Sequence, residues 1–202
     1  MYLGGMARET RAERRQRTRE ELVASAMRLF AERGVASTSV EAIAETAGYS
    51  RGAYHSNFET REEILDAVVA QVVGTLGPEL VAVLRGEGGV LDRLAAYVRE
   101  FLQYCARRPV ETRALVAVVA HRAAAAADVY DELVAASLTD VVALLEEGQR
   151  TGELRRFDLV MMASMFRRTL DAEGLRVAHG APVDAVSDEL VATFCRATRS
   201  AP

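Results

Sequence analysis

Several kinds of chemistry have no footing in this sequence. Only two of its 202 residues are cysteine. Cys105 and Cys195 stand far apart, with no C-x-x-C pair and no accompanying histidine cluster. That pattern argues against a disulfide framework and against a zinc or other metal site, and it suits reduced thiols in a cytoplasm. The N-terminus lacks the basic segment and long apolar run of a signal peptide. The longest unbroken apolar stretch, Ala114 to Ala120, is far too short to span a bilayer. A soluble, cytoplasmic protein without a membrane partner is therefore expected. Met1 to Gly5 carries no pattern, which makes Met6 a candidate native start. No nucleophile elbow, phosphate loop or paired-carboxylate site occurs, so no catalytic residue, no cofactor and no enzyme activity are predicted. Sustained strand alternation is missing as well.

What is present is a chain half hydrophobic in composition, long enough for a small domain fused to a larger one. Its net charge of −4 is unevenly spread. Residues 1–61 hold ten arginines and eight glutamates, a balance of +2, which leaves −6 for the remainder. Arg8, Arg11, Arg14, Arg15, Arg17 and Arg19 crowd into one short segment against Glu9 and Glu13. Distribution bears on partners more than the sum does, and this split points to two functional halves.

Every long segment follows a helical apolar rhythm, so the fold class is all-α. A first helix carries Leu22, Ala26, Leu29 and Phe30 on one face and stops at Gly34. Thr38-Ser39-Val40-Glu41 opens a second, with Thr38 as cap and Glu41 reaching back to complete a capping box. Val40, Ile43, Ala44 and Ala47 form its buried stripe, and Gly48 ends it. Ser50 caps a third helix. Thr60 to Glu63 repeats the capping-box pattern ahead of a fourth, which Gly77-Pro78 is expected to bend or break. Further helices follow over Leu91 to Cys105, over Thr112 to Ala127 as an apolar central helix, from Asp128 to Gly148, after Asp158, and after Pro182.

The informative stretch runs from Val40 to Phe58. Two short helices joined by a glycine-containing turn form the geometry that delivers a second helix to a DNA major groove. Ala44 lets the helices approach, and Gly48 supplies the turn. Tyr54 and Phe58, one turn apart, should pack inward, which turns Arg51, Gly52, His55 and Ser56 outward. Arg51 can pair with guanine edges, while Gly52 and Ala53 allow close approach. Thr38, His55 and Arg61 lie where phosphates would pass, and Ser39, Ser50 and Asn57 complete the polar set expected to meet DNA.

The stretch resembles the TetR family of bacterial regulators. Its DNA-binding segment has a helix ending in L-F-x-x-x-G, then T-[ST]-V-x-x-I-A-x-x-A-G-[VY]-S-x-G-[AT]-[LF]-Y-x-x-F-x-[ST]-[KR]-E. Here this reads Leu29-Phe30 to Gly34, Thr38-Ser39-Val40, Ile43-Ala44, Ala47-Gly48-Tyr49-Ser50, Arg51 to Phe58, and Thr60-Arg61-Glu62. The family usually has a phosphate-binding tyrosine where this chain has His55. Histidine can still donate to a phosphate, more strongly when protonated, so a pH-sensitive contact is expected.

The resemblance implies a helix-turn-helix domain over residues 8–60 and a helical effector-binding and dimerisation domain over 61–202. It implies double-stranded operator DNA as partner and a homodimer through the last two helices. Two recognition helices would then lie about 34 to 36 Å apart. It also implies a ligand cavity among the middle helices and control by repression, released by a small effector. Tyr97, Phe101 and Tyr104 share a helix face, and His121, Tyr130, Met161, Met165 and Phe166 could line facing walls, which suits a hydrophobic or aromatic effector. The competing classes are a helical enzyme that keeps the small domain, which lacks any catalytic motif, and a ligand-independent adaptor.

Overall fold

The computed structural model describes residues 10–125 and 127–200, with side chains described for all of these except 127–137. Arg8, Met6 and the segment before them lie outside the described residues. Among the described residues there are nine helices: α1 Arg11–Arg33, α2 Val40–Thr46, α3 Arg51–His55, α4 Arg61–Leu84, α5 Val90–Arg107, α6 Pro109–Ala125, α7 Ala127–Thr151, α8 Leu159–Ala178 and α9 Val183–Thr198. The fold is all-α, as expected, with a single antiparallel bridge between Leu154 and Arg199 outside the described helices.

Several short-range signals in the sequence place helix ends. Thr10 and Glu13 close a reciprocal capping box on α1, and the helix stops at Gly34. Asp158 accepts the Met161 amide at 2.7 Å to start α8. Thr60 caps α4 through the Glu63 amide, but the Glu63 carboxylate accepts from the Glu59 amide at 3.0 Å rather than from Thr60. The α5 N-terminus has no side-chain cap of its own. Glu153, on the link from α7 to α8, supplies one by accepting the Val90 and Leu91 amides, both at 2.8 Å.

Three expectations give way to tertiary packing. Pro78 does not break α4, which runs on to Leu84 because Leu76, Leu80 and Leu84 are all buried where α4 meets α5 and α7. α7 does not stop at Gly148. That glycine is a point of close approach, since a Cβ there would lie 2.5 Å from the Leu154 side chain, and the helix continues to Thr151. α6 is not buried all round. Only Thr112, Ala114 and Val118 are, and most of its other side chains are half-buried, although α6 packs along α1, α4, α7 and α8. Its Arg122 pairs with Glu62 and Asp66 of α4 at 3.2 and 2.6 Å.

Among the described residues, α4 is also long and apolar enough by composition to cross a membrane. Counting unbroken apolar runs misses this, since Asp66, Gln71 and Thr75 interrupt the run without changing its average character. In this fold Ile64, Leu65, Val68 and Val72 of α4 belong to the buried core, where α4 packs on α1, α5 and α6. Burial of such side chains contributes about 1.5 to 3 kcal/mol each.

Candidate nucleic-acid interface

α2, α3 and the turn between them are fixed by a dense local network. Ser39, not Thr38, caps α2 and accepts the Ala42 amide at 3.1 Å. Thr38 is 2% exposed and gives its hydroxyl to the Gly34 carbonyl at 2.8 Å, so it closes the loop after α1 and has no hydroxyl to offer a phosphate. Gly48 adopts φ +77°, a left-handed conformation that suits glycine. The Tyr49 amide then reaches the Ala44 carbonyl at 2.8 Å, and Ala44 is 1% exposed. The Tyr49 hydroxyl donates to Glu21 and ties the turn to α1.

Ser50 caps α3 by accepting the Ala53 amide at 3.2 Å. Tyr54 and Phe58 are 1% and 0% exposed, with ring centroids 5.5 Å apart. Burial raises the Tyr54 pKa above that of an ordinary phenol. Arg19 covers Phe58 from the other side, its guanidinium carbon 4.1 Å from the ring centroid, and donates to the Asn57 carbonyl at 2.7 Å. One member of the basic N-terminal cluster is thus a clamp within the fold. Locked from behind in this way, α3 turns Arg51, Gly52, His55 and Ser56 to solvent, with Ala53 and Asn57 half-buried beside them.

Not every expected contact residue is equally free. Asn57 spends its amide on the Ala53 carbonyl at 2.9 Å. Ser56 donates to the Gly52 carbonyl at 2.9 Å but keeps an exposed oxygen. Arg61 donates to the Val35 carbonyl and pins the start of α4 to the loop after α1. Arg51 is exposed, and its Nε stands 3.2 Å from Glu41 Oε1 and 3.4 Å from His55 Nε2. Glu41 therefore faces Arg51 rather than Thr38. Its carboxyl is held below the usual carboxylate range, chiefly by its own backbone amide and also by Arg51, Ser39 and His55. A reading that assigned Glu41 to a capping box missed it, because helix N-termini and surface ion pairs draw on the same residue type.

The residues proposed for an effector separate into groups. Tyr97, Phe101 and Tyr104 line one buried face of α5. Phe166 of α8 lies 5.8 Å from Tyr97 and 4.7 Å from Phe194 of α9, measured between ring centroids. A Cβ on Gly174 of α8 would lie 2.8 Å from the Phe101 ring, so this cluster is tightly packed. Beside it Arg167 pairs with Asp171 at 2.9 Å and reaches over Phe101, a polar group in the core that the aromatic pattern did not reveal. Burial pushes the nearby Cys105 thiol up to about 11, which leaves it a packing residue. His121 is half-buried on α6. Met161 and Met165 do not face inward: they are 64% and 56% exposed, next to Val160 at 63%, on the outer side of α8. Tyr130 lies outside the residues whose side chains are described.

Residues 22–68 match the family model of bacterial regulatory proteins of the tetR family. The chain is 30% identical over 174 residues to the HTH-type transcriptional regulator BetI of Rhizobium meliloti, covering 81% of this chain and 71% of that protein. It is 40% identical over 63 residues to the HTH-type transcriptional regulator AcrR of Shigella flexneri, which covers 31% of this chain and 29% of that one. Its fold matches the ketosteroid transcriptional regulator KstR2 of Mycobacterium tuberculosis with a TM-score of 0.74 at 20% identity, over 91% of this chain and 95% of that chain. It matches the fatty acid degradation regulator FadR of Bacillus halodurans with a TM-score of 0.77 at 17% identity, over 88% and 94% of the two chains.

Proposed function

Because the chain belongs to the TetR family of bacterial regulatory proteins, we propose that it represses transcription as a homodimer that reads operator DNA through the outward face of α3. A small hydrophobic or aromatic effector, bound among the C-terminal helices, releases it. As a member of this family it is a DNA-binding transcriptional regulator. The proposal divides it into a DNA-binding part over residues 8–60 and an effector-binding and dimerisation part over 61–202, working in the cytoplasm where the chromosome is accessible.

One observation carries the reading: Tyr54 and Phe58 are buried behind a helix whose Arg51, Gly52, His55 and Ser56 remain in solvent. Arg51 is the base-reading donor, with Gly52 and Ala53 allowing approach. Ser39, Ser50 and His55 offer hydroxyl or imidazole groups to phosphates, while Ser56, whose hydroxyl donates to the Gly52 carbonyl, helps to hold α3 together. Asn57 and Arg61 act mainly by holding α3 and α4 in register. The exposed Val160, Met161 and Met165 of α8, with the half-buried Val183, Val186, Leu190 and Val191 of α9, supply the apolar surface for dimerisation.

The reading is tested by retardation of the DNA upstream of the protein's own gene, followed by addition of a panel of hydrophobic and aromatic small molecules. The expected result is a retarded band at physiological salt, lost with at least one compound that also raises the protein's melting temperature. No retardation beyond that of random duplex would overturn the DNA assignment. Retardation unaffected by every compound that stabilises the protein would overturn the effector-release half.

A further inference from the structure

Among the residues beside the outward face of α3 stands a group of the wrong sign for DNA. Glu41 stands in the first turn of α2 with its side chain 55% exposed, its carboxylate 3.2 Å from the guanidinium of Arg51, itself 68% exposed. An ion pair this open adds little to folding, because water screens it and two flexible side chains must be held. Its place on the surface is what matters. A fixed negative charge here opposes the phosphates of any duplex, so it weakens non-specific binding. Unless it also meets something on the right DNA, it only costs affinity.

Base edges offer it a partner. A carboxylate can only accept hydrogen bonds. In the major groove the cytosine N4 and adenine N6 amino groups are donors, but adenine sets the N7 acceptor beside its amino group, which opposes a carboxylate. Guanine presents acceptors only and thymine an acceptor and a methyl, so cytosine is the base that suits it. Arg51 is the complement, with donors that fit the O6 and N7 acceptors of guanine. The two heads lie 3.2 Å apart, close to the roughly 3.4 Å rise between base pairs. A guanidinium on a guanine would thus leave the carboxylate within reach of an adjoining base pair. His55, with Nε2 3.4 Å from Arg51 Nε, backs the same guanidinium from α3. In the free protein the pair links Arg51 of α3 to Glu41 of α2.

Resting on the DNA-binding reading above, we propose that Glu41 is a specificity-determining residue: it accepts the amino group of a cytosine next to the guanine read by Arg51, and it penalises duplexes that lack that amino group. Glu41 thus acts twice, by attraction at one base and by repulsion everywhere else. Discrimination of this kind needs an unfavourable element as well as a favourable one.

The test is selection from a randomised duplex pool by the full-length wild-type protein, E41Q, E41A and R51A, followed by competition binding at physiological salt. Position 41 is exposed, and unchanged thermal melting will confirm that the variants are folded. Wild type should enrich a site with a guanine and an adjoining cytosine in each half. E41A should flatten the cytosine position by about tenfold, leave the guanine intact, and bind random duplex several-fold tighter. E41Q should move the cytosine position towards adenine, because an amide both donates and accepts. R51A should lose the guanine instead. If wild type enriches a site that both Glu41 variants reproduce with unchanged base preferences, the assignment is overturned and the DNA-binding reading stands. If wild type enriches no sequence, both fall together.

Discussion

At position 58 a buried side chain backs the helix proposed to read DNA. Phe58 is wholly buried, in tilted contact with the Tyr54 ring and covered by the Arg19 guanidinium. Its inward direction is legible in the sequence because Tyr54 and Phe58 are one helical turn apart. The clamp by Arg19 is not, because it joins residues 19 and 58 across the fold. The Phe58→Ala substitution is expected to cost about 3 to 5 kcal/mol of stability in urea denaturation, the range for emptying a large aromatic site. It should weaken operator binding while leaving every outward side chain of α3 in place. A loss under about 1 kcal/mol would mean that α3 is not anchored by this residue. Thr38 shows the limit of residue-by-residue reading. Both Thr38 and Ser39 are good caps by type, and only the loop after Gly34 decides that Thr38 turns inward and Ser39 caps.

At the scale of elements, helix ends signalled locally stand where the sequence places them, since Ser50, Thr60 and Asp158 need only the next three residues to act. Ends set by distant partners are not legible. The α5 N-terminus takes its cap from Glu153, and the passage of α7 through Gly148 depends on Leu154 lying against it. α5 is further tied to α7 by Arg93, mostly buried, which pairs with Glu147. The hydrogen bond from Arg93 holds the Glu147 carboxyl below its ordinary value of 4.5. A carboxyl with a lowered folded pKa stabilises the fold above its unfolded pKa, and that contribution disappears as pH falls through the folded value. E147Q should therefore melt below wild type at pH 7, and the gap should close as pH drops from about 5 towards 3. A gap that stays constant over that range would show that the carboxylate charge contributes nothing.

The whole molecule has two chemically distinct ends. The α2–α3 face is polar and arginine-bearing, and the outer side of α8 presents Val160, Met161 and Met165 to solvent. Charge asymmetry in the sequence already separated the two halves. It could not separate methionines that line a cavity from methionines that form a surface, because both occur at helical spacing. Exposed apolar side chains in this number fit an interface between two copies. Met165→Asp should shift the protein from dimer to monomer in sedimentation and reduce operator affinity by at least an order of magnitude, since one recognition helix would then act without its twin. An unchanged dimer would place the interface elsewhere.

The central claim is that the outward face of α3 tells one DNA sequence from another. Its most direct measurement is the ratio of affinities for the upstream duplex and for a scrambled duplex of equal composition, taken at physiological salt for wild type and Arg51→Ala. A wild-type ratio of at least about a thousand is expected, with about 1 to 3 kcal/mol of that discrimination lost in the variant. Equal wild-type affinities for the two duplexes, or a ratio indifferent to Arg51, would contradict that claim.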